Sequence, residues 1–307
     1  MDSEFFIKFE IPPFPCVQTQ SDFFLIGSCF TEHIGKRLND SGFQTDVNPF
    51  GILFNPISIH QALKRIVSQD HYHQEHLFLN HEKRYVSFDH HGRFSGSDSK
   101  LVLEEINHSI DSACNRLKKA DIIIITLGSA WVYKLLSSNK VVANCHKVPA
   151  KEFAKVLLTV SEIITALQGI QDCFNKANSD AKLIWTVSPV KHLKDGVVEN
   201  QISKASLIMA VYQIVKEEKN YYFPAYEIVT DELRDYRFFE RDHSHPNLLA
   251  IDYVWERFLQ TCFEPEALEK VKEAQSLNKL LKHKKLHEDS IEDSLRSRIL
   301  NFMNKYS

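Results

Sequence analysis

The sequence lacks the features that mark nucleic-acid-binding and membrane-spanning proteins. Its 37 Lys and Arg residues are balanced by 40 Asp and Glu residues, giving a formal net charge of −3. There is therefore no basic excess to neutralise a nucleic-acid backbone. The longest apolar run, at residues 122–125 and their flanks, is far shorter than the roughly 20 residues of a membrane-spanning helix. We expect no nucleic-acid partner and no membrane partner.

Paired cysteines, phosphate-binding loops and a signal sequence are also missing. The six cysteines form no Cys-x-x-Cys pair, and a chain of 307 residues can build a core without disulfides. No stretch resembles a glycine-rich phosphate loop, so we expect no cofactor. The first 15 residues carry acids in place of a basic segment, and Pro12 and Pro13 interrupt them. These features favour a reducing compartment and predict a cytoplasmic protein.

Helical and strand-like patterns alternate along most of the chain. Residues 22–27 (DFFLIG) are a short apolar run that ends in a Gly-Ser pair, and Phe30, Ile34 and Leu38 then follow with helical spacing. Residues 120–128 (ADIIIITLG) have the continuous apolar character of a strand buried in a parallel sheet. The alternation predicts an α/β fold in which helices cover both faces of a mostly parallel central sheet.

The same patterns predict the remaining elements and the division of the chain. We expect helices at 57–67, 101–118, 152–176, 202–218 and 248–262, strands at 43–47, 183–187 and 222–229, and a hairpin from 131–136 and 141–143. Residues 1–263 are predicted to form one domain, with a polar excursion at about 71–100. Residues 264–307 lose all strand character, which predicts a helical tail or packing arm without catalytic residues.

Ser28 is a candidate nucleophile because it lies between a predicted strand and a predicted helix. Free backbone N–H groups and the helix dipole at such a turn can bind a developing oxyanion. The alternative is that Ser28 serves only as a helix cap. Cys29 is a rival nucleophile, although a buried thiol that only packs is the more common role of such a cysteine.

The segment RDHSHPN at 241–247 is the second candidate for catalysis. It places Asp242 three residues before His245 in a loop that leads into a helix, so one loop supplies both a base and a carboxylate that orients it. A polar surface turn is the alternative interpretation.

A histidine-rich stretch raises the question of a metal site. It comprises His71, His73, Glu75 and His76, followed by Asp89, His90 and His91. The residues lack the paired or i, i+4 spacing of common zinc sites, so we expect no metal.

Several segments resemble one known family. LIGSCFTEHIG (25–35) resembles the motif that names the GSCFA family, whose fold is related to the SGNH, or GDSL-like, hydrolases. Further matching segments are NPFGILFNP (48–56), TLGSAWVY (126–133), VVANCHKVPA (141–150), TVSPVKHLKDGVVENQISKASL (186–207), YFPAYEIVTDELRDYRF (222–238) and DHSHPN (242–247). The resemblance spans about residues 22–262 and implies a flavodoxin-like, three-layer hydrolase domain. By this similarity Ser28 is the nucleophile, His245 the general base and Asp242 its orienting carboxylate.

The sequence departs from the wider SGNH pattern at the oxyanion hole. Related hydrolases carry a Gly-x-Asn whose amide binds the oxyanion, whereas Gly128 is followed here by Ser129 and Ala130. The donor must therefore come from elsewhere. The side-chain candidates are Asn48, Asn55 and Asn144, and the backbone candidates are Ser28, Gly51 and Gly128.

The resemblance also suggests residues that line the substrate pocket. His146, Lys147, Lys191 and His192 lie in matching segments and are candidates for substrate binding, with a solvated surface as the alternative.

We therefore expect a carboxylic-ester hydrolase that acts through a Ser acyl-enzyme and removes small acyl groups, such as acetyl, from a carbohydrate-type substrate. One alternative is an acyltransferase that uses the same triad. The other is a non-catalytic binding or assembly protein. The tail after residue 263 is a candidate surface for forming a homo-oligomer.

Overall fold

The computed structural model describes residues 7–215, 220–284 and 293–306. In chain order the elements are β1 (Phe23–Gly27), α1 (Cys29–Asp40), β2 (Thr45–Val47), α2 (Pro56–Ser68), β3 (Phe78–Leu79), β4 (Tyr85–Val86), α3 (Ser99–Leu117), β5 (Ile122–Leu127), β6 (Trp131–Leu135), β7 (Lys140–Val142), β8 (Phe153–Leu157), α4 (Val160–Ala177), β9 (Lys182–Val187), α5 (Val197–Ile214), β10 (Asn220–Tyr222), α6 (Ala225–Glu227), α7 (Leu248–Cys262), α8 (Pro265–Lys284) and α9 (Asp293–Tyr306). Within those residues, no helix is both long and apolar enough to cross a membrane.

The central sheet has five strands in the order β10-β9-β5-β1-β2, and every neighbouring pair is parallel. Numbered along the chain, the sheet strands follow the order 2-1-3-4-5, which is that of flavodoxin-like folds. In such sheets ligands bind at the carboxyl ends of the strands, where the strand order reverses. In this sheet the strand order reverses between β1 and β5. The turn after Gly27, at the end of β1, lies at that position.

Alternating side chains of the sheet pack into two separate apolar cores. Phe24 and Ile26 of β1 face one core together with α2, α3, α4 and α5. Phe23 and Leu25 face the other core with α1, α7 and the first turns of α8. Both faces of the sheet are therefore covered by helices, and the predicted three-layer α/β fold is confirmed.

Two predicted elements differ from the structure. Residues 152–176 do not form one helix, because residues 153–157 pair with β6 as strand β8. The helix α4 starts only after Thr159, which forms a reciprocal capping box with Glu162. The predicted strand at 222–229 ends at Tyr222, and after Pro224 the chain turns into the short helix α6 and a π-helical segment.

The remaining predicted elements agree with the structure to within a few residues, where the chain is described. The hairpin forms from β6 and β7. The predicted helix end at 216–218, and residues 285–292 and 307 of the predicted tail, lie outside the described residues. Where the tail is described, Ala267 and Val271 of α8 are buried in the second core. This part of the tail is therefore a packed layer of the fold.

The polar excursion buries one histidine. His90 is fully buried and stacks on Phe50 with ring centroids 4.3 Å apart, with Tyr72 and Phe94 at its edges. Neither ring nitrogen has a partner within the described part of the chain, and burial lowers the pKa of His90 to about 3. No group of three or more His, Cys, Asp or Glu side chains in the described ranges is arranged to hold a metal ion.

Burial of His90 predicts a loss of stability in mild acid. The unfolded chain binds a proton on this residue below about pH 6.5, whereas the folded chain does so only near pH 3. Stability from this group is therefore complete above the unfolded pKa and falls by about 1.4 kcal/mol per pH unit between those limits. When the pH is lowered from about 7 to about 5, the wild type should lose about 2 kcal/mol more of its free energy of unfolding than His90→Phe loses. Urea unfolding at both pH values measures the difference. His73→Phe, at an exposed position, is the control, and equal acid losses in wild type and His90→Phe would contradict the interpretation.

Candidate active site

The turn after β1 is built on a close approach between two backbones. Gly27 has φ +145°, and a Cβ atom on it would lie 2.1 Å from the carbonyl oxygen of Thr126 in β5. The next residue, Ser28, donates its N–H to that same oxygen at 3.0 Å. Only glycine fits this position. The contact fixes where α1 begins relative to the sheet.

Ser28 is the N-cap of α1. Its Oγ accepts a hydrogen bond from the Phe30 N–H at 3.3 Å, and its side chain is fully buried. Cys29, the first helical residue, is half-buried. Ser28 and His245 form no hydrogen bond in the structure, which describes both residues. The role of Ser28 as nucleophile therefore stays a prediction.

Asn48 lies beside the turn, directly after β2. Its Oδ1 accepts the N–H of Gly27 at 2.8 Å, so the carboxamide is held against the residue that precedes Ser28. Asn48 is fully buried, and within the described residues its Nδ2 has no hydrogen-bond partner. A buried amide donor without an acceptor is costly in a folded protein and calls for a functional explanation.

The other predicted amide side chains are engaged locally. Asn55 caps α2, where its Oδ1 accepts from the Ser58 N–H at 2.8 Å and its Nδ2 donates to the Ser58 hydroxyl at 3.0 Å. The Oδ1 of Asn144 accepts the N–H of His146 at 2.8 Å within a turn. Asn48 differs from both, because its buried Nδ2 has no hydrogen-bond acceptor among the described residues.

The predicted backbone donors are occupied by the fold itself. Gly51 donates its N–H to the Asn48 carbonyl at 2.7 Å, and Gly128 donates to the Phe54 carbonyl at 2.8 Å. The Ser28 N–H is bonded to β5, as described above. Because each of these amides already has a protein acceptor, Asn48 Nδ2 is the predicted donor that is both buried and without an acceptor among the described residues.

Asp242 and His245 form the pair that their spacing predicts. His245 Nδ1 lies 2.6 Å from Asp242 Oδ2, and Asp242 Oδ1 accepts the N–H groups of Ser244 and His245 at 2.9 and 3.0 Å. These two backbone donors, followed by the His245 ring, hold the pKa of Asp242 below its usual range. Both side chains are half exposed. With Nδ1 directed at the carboxylate, neutral His245 presents the lone pair of Nε2 to a reacting group.

The loop that carries this pair is anchored at the carboxyl end of the sheet. The Lys191 N–H, four residues after β9, donates to the Ser244 carbonyl at 2.9 Å. The pKa of His33 is lowered by burial, then by the charge of Arg37, and also by the charge of His245. His33 lies one helical turn after Cys29 on α1.

A buried lysine lies under the same edge and was not predicted from the sequence. Lys204 of α5 donates through Nζ to the carbonyls of Gly128 and Ser188, at 2.7 and 2.8 Å, the first residues after β5 and β9. It is fully buried, and burial lowers its pKa to about 7. Lys204 shares the buried face of α5 with Leu207 and Val211, and this i, i+3, i+7 spacing is the sequence signal that identifies it.

The four predicted substrate-binding residues fall into two groups. Lys191 and His192 lie on the loop anchored to the Asp242–His245 pair, and burial lowers the pKa of His192 to about 4. His146 is buried, with Nε2 2.7 Å from the Ser87 carbonyl, and the exposed Lys147 pairs with Glu82. The first group lies next to the loop that carries Asp242 and His245, whereas the second is bonded to the excursion.

The Gly27 contact gives a stability prediction. We expect Gly27→Ala to lower the free energy of unfolding by more than about 3 kcal/mol, or to prevent folding, because the new Cβ overlaps a backbone oxygen at a strained φ. Gly92→Ala is the control, since its Cβ would meet nothing closer than 3.9 Å, and its effect should stay within about 0.5 kcal/mol. Urea unfolding of the purified variants measures both. Similar stabilities of the two variants would refute the argument.

Solved structures with some likeness to the chain include enzymes that act on acetyl groups. A carbohydrate esterase family 3 protein from Talaromyces cellulolyticus is 10% identical with a TM-score of 0.39, covering 82% of this chain and 99% of its own. The periplasmic domain of a lipopolysaccharide acetyltransferase from Salmonella ser. Paratyphi A is 9% identical with a TM-score of 0.36, covering 79% and 84%. An acetyl xylan esterase from the rumen bacterium Butyrivibrio proteoclasticus is 10% identical with a TM-score of 0.38, covering 79% and 64%. No curated protein matches the sequence.

A family profile matches most of the chain. It covers residues 22–258, which include the turn after β1, Asn48 and the Asp242–His245 pair, and it is that of the GSCFA family. The match confirms the resemblance of the LIGSCFTEHIG segment, and the chain belongs to the GSCFA family.

Proposed function

We propose that this protein is a carboxylic-ester hydrolase that removes small acyl groups, such as acetyl, from a carbohydrate-type substrate through an acyl-enzyme. The observation that supports the proposal most is the Asp242–His245 pair, joined at 2.6 Å and anchored at the carboxyl edge of the sheet. An imidazole oriented by a carboxylate is the general base that acyl transfer by a side-chain nucleophile requires.

In the proposed mechanism, His245 moves the protons. Its Nε2 takes the proton of the nucleophile as the acyl carbon is attacked and then gives it to the leaving alcohol. Asp242 keeps the ring in the tautomer that leaves Nε2 unprotonated and stabilises the imidazolium that forms. The short Nδ1–Oδ2 contact and the two backbone N–H bonds to Asp242 support this role.

Asn48 Nδ2 is the proposed oxyanion donor. It is buried, has no acceptor in the described part of the chain, and belongs to a carboxamide held against Gly27. One such donor contributes about 2.7–4 kcal/mol to the transition state of a serine hydrolase. The nucleophile is proposed to lie in the turn after Gly27. Family resemblance favours Ser28 there, and Cys29 is the adjacent alternative.

Removal of the proton-transfer pair should abolish most turnover. We expect His245→Ala and Asp242→Asn to lower kcat/KM for an activated acetyl ester by about 10³-fold or more, with little further loss in the double variant, because the two act as one unit. His33→Ala, at a histidine of α1, is the matched control and should retain most activity. Activity in His245→Ala equal to that in His33→Ala would remove the hydrolase proposal. Added sugar acceptors, with the transferred acetyl group followed by mass spectrometry, separate hydrolysis from acyl transfer.

The oxyanion donor has its own test. Asn48→Asp keeps an oxygen that accepts the Gly27 N–H but removes the amide donor, so we expect kcat to fall by about 10²–10³-fold with the fold retained. Asn55→Asp is the matched control, because Asp caps a helix as well as Asn does, and its kcat should be unchanged. Circular dichroism checks folding of both. Equal kcat values for the two variants would exclude Asn48 as the donor.

A further inference from the structure

We infer that the nucleophile of this site is the thiol of Cys29, and that Ser28 is the helix cap that positions it. The inference rests on the proposed acyl-transfer function and replaces the serine that family resemblance favours. It follows from the different surroundings of the two adjacent side chains.

Ser28 is placed for structure. It is fully buried, its N–H is bonded to the Thr126 carbonyl, and its Oγ accepts the Phe30 N–H as the cap of α1. A nucleophile must come within about 3–3.5 Å of the acyl carbon of a substrate. A side chain with no exposed surface that is committed to capping a helix does not offer that approach.

Cys29 is placed for chemistry. It is half-buried and is the first residue of α1, where the backbone N–H groups of the first turn have no partners within the helix. Burial raises the pKa of the Cys29 thiol, and Glu32 raises it further, while the amides of Cys29 and Phe30 and the charge of Lys204 oppose these effects. The thiol is therefore protonated at rest, and its activation requires a base.

Loops at the carboxyl edge of the sheet carry both the proposed base and the proposed oxyanion donor. The Lys191 N–H, after β9, donates to the Ser244 carbonyl, so the loop that carries His245 is anchored at the carboxyl edge of the sheet, where α1 begins. Asn48 holds the Gly27 N–H two residues before Cys29 and has a buried Nδ2 without an acceptor among the described residues. The unused amide donor is independent of the cysteine and calls for an acceptor at this turn.

The proposed reaction balances with water as the second substrate. His245 Nε2 takes the S–H proton, Cys29 Sγ forms a bond to the acyl carbon, and Asn48 Nδ2 binds the oxyanion. The carbon–oxygen bond to the alcohol then breaks, and the alcohol leaves with the proton from His245. Water, deprotonated by His245, attacks the thioester, and the carbon–sulfur bond breaks. The acid is released, and the proton returns to Cys29.

Acylation with p-nitrophenyl acetate, followed by an acid quench and peptide mass spectrometry, tests the assignment. The wild type and Ser28→Ala should carry an acetyl group that neutral hydroxylamine removes, as expected of a thioester, and Cys29→Ala should carry none. In Cys29→Ser the label should become resistant to neutral hydroxylamine. Cys173→Ala, at another half-buried cysteine, should behave as the wild type. A hydroxylamine-resistant label in the wild type that survives in Cys29→Ala would overturn the inference in favour of Ser28, even if Ser28→Ala does not fold.

A second measurement separates this inference from the proposed function, since it needs no ester. Iodoacetamide labelling of the full chain at about pH 7 should modify Cys29 about tenfold more slowly in His245→Ala than in the wild type, with Cys173 unchanged. If His245→Ala slows the labelling of Cys29 but no ester acylates the protein, the result would support the Cys29–His245 pair and count against the ester-hydrolase proposal. A Cys29 rate that does not depend on His245 would overturn the inference.

Discussion

The contact between Gly27 and the Thr126 carbonyl is the constraint on which the candidate site depends. It joins β1 to β5 where the strand order of the sheet reverses, and it leaves room for no side chain at Gly27. With that point fixed, α1 starts at Cys29, and Asn48 can reach the Gly27 N–H from the end of β2. The chemistry therefore depends on the register of the parallel strands, since one residue of slip would break all of these contacts at once.

The site also retains polar groups that oppose folding. Lys204 is buried without an ion pair in the described part of the chain, and two carbonyls are its hydrogen-bond acceptors. Asn48 Nδ2 is buried without an acceptor in the same ranges. Apolar side chains of similar size would avoid both desolvation penalties. In the proposed mechanism both groups place positive potential at the carboxyl edge of the sheet, where negative charge would develop during acyl transfer.

Most of the fold could be predicted from the sequence, because the signals were local and strong. The apolar run at 120–128 and the helical spacing after Phe30 predict β5 and α1. Residues 153–157 were misassigned because their strand character comes from pairing with β6, a contact that sequence periodicity does not contain. At the site, the spacing of Asp242 and His245 predicted their pairing, whereas Lys204 was missed because a lysine on the apolar face of a helix is ordinarily assigned to solvent, although it shares that face with Leu207 and Val211.

The choice between adjacent nucleophiles has a consequence for how reactivity is controlled. A thiol whose pKa is raised by burial is protonated at neutral pH and is a poor target for oxidants, which attack the thiolate. Such a group becomes nucleophilic only as a base removes its proton in the presence of substrate. Placing that base on a separate loop, anchored through the Lys191 N–H to the Ser244 carbonyl, makes reactivity depend on the position of the loop. In the proposed mechanism the turn after β1 therefore supplies the nucleophile, and the loop at 241–247 supplies the base that activates it.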